Sequence, residues 1–225
     1  FRRASIDRLN SLASELQGLG AGKTLVLIGY LDEDTKPSNA LALVFGGSVQ
    51  STYVKRHLPN YGVFDEFRNF GPGAGTLIAR FKGVDIAVAI CEDIWQDQGP
   101  MSELAQRSPG IVLVPNGSPY ERNKDDQRLK LVKQRAKDFG AALAYVNMVG
   151  GQDELVFDGG SCALNSKGDL VLSMPQFKAA LGMVSINNGE PQHGEITAPL
   201  TLEAQVYSAL VLGTRDYVRK NRFPG

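Results

Sequence analysis

The sequence predicts an α/β protein, and three observations carry that expectation. Short apolar runs of β type recur between Gly, Pro and Asp turns; helical periodicities alternate with strands beyond residue 100; and hydrophobic residues make up 43% of the 225, enough for one substantial core. The 24 basic side chains balance the 24 acidic ones, so no net field draws in a phosphate backbone or an anionic bilayer, and neither nucleic acid nor membrane is an expected partner. Apolar runs such as 41–45 and 84–90 stop well short of the about 20 residues a spanning helix needs. Two cysteines, Cys91 and Cys162, make a poor disulfide framework for this length and fit a reducing, cytoplasmic setting. With the two histidines they are too few and too scattered for closely paired metal ligands, so no metal is expected. The chain opens on Phe1-Arg2-Arg3 with no long apolar stretch behind it, so it is read as lacking a secretory leader and as a piece of a longer chain.

The elements follow in order. Residues 5–16 hold Ile6, Leu9, Leu12, Ala13 and Leu16 at helical spacing, with Gly18 and Gly20 as stop signals, which predicts a surface helix. Strands are expected over 24–30, 40–45, 48–54, 76–81 and 84–90, with hairpins at Phe45-Gly46-Gly47-Ser48 and Phe81-Lys82-Gly83-Val84. A helix over 101–107, a strand over 111–114, a longer helix over 125–139 and a strand over 143–147 come next. Beyond Gly151 the pattern returns to strands, over 161–165, 170–172 and 180–186. Residues 187–200 read as a linker rich in Gly, Pro and Asn. Val206, Leu210, Val211, Tyr217 and Val218 then mark an amphipathic helix, whose apolar stripe is expected to lack a partner within its own segment and to open a second domain, the alternative being a terminal helix that folds back on the main core.

Four segments hold the residues suited to chemistry. The apolar run 84–90 ends in Ile90-Cys91-Glu92-Asp93-Ile94-Trp95. A cysteine at the carboxyl end of a buried strand stands where open α/β sheets place their ligands, which makes Cys91 a nucleophile candidate, although a cysteine taken alone more commonly serves as a small buried apolar residue. Glu92 and Asp93 are not needed for packing and would be costly if buried without partners, so a polar site is expected there. The second segment runs from Tyr53-Val54-Lys55-Arg56-His57 through Tyr61 to Glu66, at another strand end. A thiol attacks well once ionised, and a nearby ammonium lowers its pKa; Lys55 would supply that charge and later stabilise an oxyanion, unless it is simply a solvated strand end. The third is Val114-Pro115-Asn116-Gly117-Ser118-Pro119-Tyr120, with Lys124 close behind. The fourth, 145–161, contains glycine pairs but no Gly-Lys-Ser/Thr ending, and Asp153, Glu154 and Asp158 would repel an anion, so no phosphate loop is expected. Cys162 is assigned to packing.

The strings KRHLPNYGVFDE, ICEDIW, NGSPYERNK and NMVGGQDELVFDGGS together resemble the nitrilase superfamily of carbon-nitrogen hydrolases, and within it the glutaminase domains of glutamine-dependent NAD+ synthetases. The resemblance implies an αββα sandwich over 1–190, a linker over 191–202, and the first helix of a following synthetase domain over 203–225. It implies Cys91 as nucleophile and Lys55 as its lysine, with Tyr61, Glu92, Ser118 and Lys124 contacting glutamine, Trp95 as an aromatic pocket wall, and the backbone N–H of Glu92 in the oxyanion site. Glu66 would orient Lys55. The family's general-base glutamate, in a segment like Phe-Pro-Glu expected ahead of the first helix, has no match in these residues. Glutamine would be the substrate and ammonia would pass onward, with ATP and Mg2+ implied only for the synthetase domain, no cofactor for this one, and a homo-oligomeric assembly. Two alternatives stand beside this reading: another nitrilase-type amidase, and a non-catalytic interaction module on the same fold.

Overall fold

Gly46 and Gly47 (φ 60° and 79°) supply the two left-handed positions that a tight hairpin turn requires, and they join β2 (Pro37–Phe45) to β3 (Ser48–Val54) at the Phe45–Ser48 pair. The computed structural model describes residues 2–33 and 36–223; Phe1 and the last two positions of the 203–225 segment lie outside them. β2 also pairs with β1 (Val26–Glu33), giving an antiparallel sheet ordered β1-β2-β3. β2 is buried on both faces from Ala40 to Val44, which explains its unbroken apolar run. Ala42 and Val44 face Leu9 and Ala13 of α1 (Arg2–Gly18), while Leu41 and Leu43 face a second sheet.

That second sheet has six strands. β4 (Leu77–Phe81) and β5 (Val84–Val88) form the other expected hairpin, turned by Lys82 and Gly83 at φ 48° and 83°. α3 (Pro100–Arg107) carries the chain to β6 (Ile111–Asn116), and α4 (Lys124–Phe139) to β7 (Ala142–Asn147); β5, β6 and β7 are parallel, as helical crossovers demand. After the hairpin of β8 (Val149–Gln152) and β9 (Leu155–Asp158), β10 (Cys162–Leu164) and β11 (Leu170–Ser173) complete the order β11-β10-β7-β6-β5-β4. Val88 and Ile90 meet Leu41, Leu43 and Tyr53 between the sheets, and on the far face Leu104, Val132, Ala136 and Phe139 of α3 and α4 cover Val112, Val114 and Leu143. Helix, sheet, sheet and helix therefore stack as the αββα sandwich.

Two expectations need correction. No strand forms over 180–186; only Ile186–Asn187 pairs, with Glu190–Pro191, and Leu181 and Met183 are left exposed. Within the linker, Glu195 O accepts the Ser173 N–H at 3.0 Å and Thr197 donates its N–H to Ser173 O at 3.1 Å, so this stretch runs along the edge strand β11. The last helix, α5 (Leu202–Lys220), does have a partner. Ala209 and Leu212 pack with Phe177 against Tyr120, Val149 and Val156, Asp216 accepts the Gly151 N–H at 2.8 Å, and Lys220 donates to Gly151 O at 2.6 Å. A Cβ on Gly151 would lie 3.1 Å from Gly213 Cα, so glycine meets glycine where helix and hairpin touch. Val206, Tyr207, Leu210 and Val211 lie on the outer side of α5, partly exposed.

Candidate active site

β3 and β5 belong to different sheets, and their carboxyl ends converge in the gap between them. Lys55 follows β3 directly and its side chain is 2% exposed, far below the usual state of a lysine. The ammonium is neutralised by Glu66, which opens the short helix α2 (Glu66–Asn69): Nζ donates to both carboxylate oxygens, at 2.7 and 2.8 Å. Cys91 follows β5 and begins a 3₁₀ turn, Cys91–Ile94, with φ at 45°. A left-handed conformation is unfavourable for a residue with a Cβ and persists only where its surroundings fix it; here it holds the thiol out from the end of a strand. Lys55, Glu66, Cys91, Asn39, Asn116 and Gly117 line one cavity of about 250 Å³.

Burial pushes the Cys91 thiol above its ordinary pKa. Lys55 and a hydrogen bond from the Gly117 backbone pull it down, while Glu92 and Glu66 push it up. Desolvation is the largest of these effects and Lys55 the next, with Glu66 the smaller of the two acidic opponents.

Beside this cavity, Glu92 is 5% exposed and accepts from Tyr61 Oη at 2.8 Å and from Gln96 Nε2 at 2.8 Å. Burial and this contact raise the Tyr61 phenol, and Glu121 adds to the shift. Lys124, the first residue of α4, pairs with Glu121 at 3.2 Å and does not line the Cys91 cavity. Trp95 does not line it either: the 3₁₀ turn carries its ring to the helix side of the sheet, where it packs against the α3–α4 core. Ser118 is buried next to Gly117. Its N–H donates to Asn147 Oδ1 at 2.9 Å, and its carbonyl accepts from Arg128 at 3.1 Å and from Asn147 Nδ2 at 3.2 Å. Arg128 in turn donates to both oxygens of the buried Asp158, at 2.8 and 2.8 Å.

Sequence reasoning missed several of these groups. Gly117 and Asn116 stood in a quoted motif without a role, and Arg128, Asn147 and Asp158 carried no local signal, since their meeting depends on the pairing of β6 with β7 and on the β8–β9 hairpin. Among the described residues no cluster of three His, Cys, Asp or Glu side chains is placed to hold a metal ion.

A cysteine on a strained turn beside a lysine–glutamate pair, between the sheets of an αββα sandwich, is an arrangement for attack on a carbonyl carbon. The carbon-nitrogen hydrolase family model matches residues 5–193, and the chain belongs to that family. More particularly, it is 40% identical over 191 residues to a glutamine-dependent NAD(+) synthetase of Xylella fastidiosa, covering 82% of this chain and 35% of that protein. To the Thermotoga maritima protein of the same name it is 34% identical, covering 99% of this chain and 44% of the relative. The solved glutamine-dependent NAD+ synthetase of Acinetobacter baumannii, in complex with ADP, superposes with a TM-score of 0.89 at 34% identity, over 100% of this chain and 43% of that one. An amidase from Nesterenkonia sp. shares the fold, with a TM-score of 0.64 at 24% identity over 77% of this chain and 63% of that one. The chain spans less than half the length of the synthetases it matches. No helix among the described residues is long and apolar enough to cross a membrane.

Proposed function

We propose that this chain is the glutamine-hydrolysing part of a glutamine-dependent NAD+ synthetase. The observation that carries the reading is the single cavity shared by the Cys91 thiol and the Lys55–Glu66 pair, in a chain whose relatives bear that name. Cys91 Sγ adds to the side-chain carboxamide carbon of glutamine as its proton passes to a base. The carbonyl electrons move onto oxygen, which is received by the Lys55 ammonium and the Glu92 backbone N–H. Collapse breaks the C–N bond, the nitrogen takes up a proton and leaves as ammonia, and a γ-glutamyl thioester remains; water then cleaves the C–S bond to give glutamate and the thiol. The base in this reading is a glutamate of the parent protein outside these 225 residues.

The buried Glu92 carboxylate, oriented by Tyr61 and Gln96, suits the α-ammonium of glutamine. Ser118 shapes the adjoining loop, Glu66 orients Lys55, and Lys124 is the remaining candidate contact to glutamine. Ammonia passes to an ATP- and Mg2+-dependent site that amidates deamido-NAD+. ATP and Mg2+ belong in this reading to the synthetase domain, and the glycine-rich stretch of this chain is the β8–β9 hairpin. Residues 191–202 and 203–225 lead toward that second domain, and the protein works in the cytoplasm as a homo-oligomer. In the full-length protein, Cys91→Ala should abolish ammonia release from glutamine. Normal release by that variant, or equal turnover of simple aliphatic amides by the unmodified protein, overturns the proposal.

A further inference from the structure

We propose that Asp93 is a positioning residue that sets Lys55 against Cys91. The inference rests on the roles given above to those two residues. The two side chains come from different sheets, so no ladder of strand hydrogen bonds fixes one relative to the other. Asp93 supplies the missing connection. Its carboxylate is fully buried, and each oxygen accepts two hydrogen bonds. Oδ1 accepts the backbone N–H of Arg56 at 3.2 Å and of His57 at 2.9 Å; Oδ2 accepts the Ile90 N–H at 3.0 Å and Tyr53 Oη at 2.8 Å.

The lysine is thereby bracketed, with Tyr53 held two residues before it and the Arg56 peptide directly after it. The Ile90 peptide directly precedes the nucleophile, and its bond back to Asp93 closes the turn in which Cys91 takes φ 45°. A strained conformation of this kind needs surroundings that over-determine it. Burying a carboxylate so completely is costly unless every lone pair is matched, and here four donors at the ends of two sheets match it, with His57 Nδ1 a further 3.5 Å contact to Oδ1. Packing alone would be served by an apolar side chain at this position.

Asp93→Asn separates positioning from simple stability. With its carbonyl oxygen kept on Arg56 and His57, the new NH2 group meets Tyr53 Oη, which can accept, and the Ile90 N–H, which cannot; the fault falls on the cysteine turn. In the full-length protein, glutamine turnover by the folded variant should drop about 100-fold in kcat, with KM within about threefold, as expected for misplaced reacting groups. The pH midpoint of iodoacetamide alkylation, followed on the Cys91 peptide by mass spectrometry, should move up by about half a unit or more as Lys55 loses its hold on the sulfur. Tyr53→Phe, which removes one donor and keeps both backbone arms, should shift both readouts the same way by less, and it decides the matter should Asp93→Asn fail to fold. Folded variants with kcat within threefold of the parent, or a midpoint unmoved or lowered, overturn the proposal. Failure of the unmodified protein to hydrolyse glutamine would sink the functional reading instead, and the alkylation midpoint would still report on Asp93.

Discussion

Replacing Arg128 by Met should destabilise the protein and loosen the Ser118 loop together. The substitution removes two charged hydrogen bonds of 2.8 and 2.8 Å to Asp158, a carboxylate only 1% exposed, and strips donors from Ser118 O and Pro119 O. Asn147 Nδ2, at 3.4 Å, is then the nearest remaining donor to that carboxylate among the described residues. Leaving one member of a buried pair uncompensated costs about 3–5 kcal/mol. Arg128 Nε is buried without a hydrogen-bond partner, so the pair is not fully satisfied to begin with and the lower end of the range is the better expectation. For a domain of this size the loss corresponds to a fall in Tm of about 6–20 °C. The assay is thermal and urea unfolding of Arg128→Met, Asp158→Asn and the double variant. The double variant should lose at least about 2 kcal/mol less than the sum of the singles, because it no longer strands a charge. A single-variant loss below about 1 kcal/mol, or strict additivity, would refute the reasoning.

Further expectations come from the same geometry. Glu66→Gln removes the charge that cancels Lys55 and raises the thiol, so the Cys91 alkylation midpoint should move down while turnover falls for want of an oriented lysine; an unchanged midpoint contradicts the assignment. A Cβ on Gly73 would lie 2.2 Å from Val54 O, just ahead of Lys55, so Gly73→Ala should cost about 1–3 kcal/mol by unfolding and lower kcat, with wild-type behaviour as the refuting result. Burial pushes the Cys162 thiol up to about 12, above its value in the unfolded chain. Its contribution to stability is therefore complete below the ordinary thiol pKa and is lost as pH rises from there toward 12. Unfolding followed between pH 8 and 11 should show that decline, reduced in Cys162→Ala, and an identical slope in both proteins would count against it.

The sequence made some of this legible and hid the rest for physical reasons. Both tight hairpins were readable because Gly-Gly and Lys-Gly state the positive φ values that their turns need. The α3–β6–α4–β7 alternation was readable because helical crossovers leave a long period in the apolar pattern. The β8–β9 hairpin was not, since its Gly150-Gly151 pair serves close approach to α5, an interaction with residues more than 60 positions away. The 180–186 segment alternates like a strand but finds no hydrogen-bonding neighbour along most of its length. Within the site, Cys91 and Lys55 were marked by their places at strand ends, and Glu66 by the family resemblance. Asp93 sat inside a quoted motif, yet its four donors lie at the ends of two separate sheets, and no spacing rule along the chain encodes that meeting. The thiol's upward shift was invisible as well, because it depends on burial in the folded chain.

The most direct measurement is the pH profile of Cys91 alkylation in the full-length protein, comparing the parent with Lys55→Met. If the ammonium faces the sulfur across the cavity, removing it leaves desolvation and the acidic neighbours opposed only by the Gly117 hydrogen bond, and the midpoint rises. A midpoint that stays in place would mean that lysine and thiol do not act on each other, and would contradict the account.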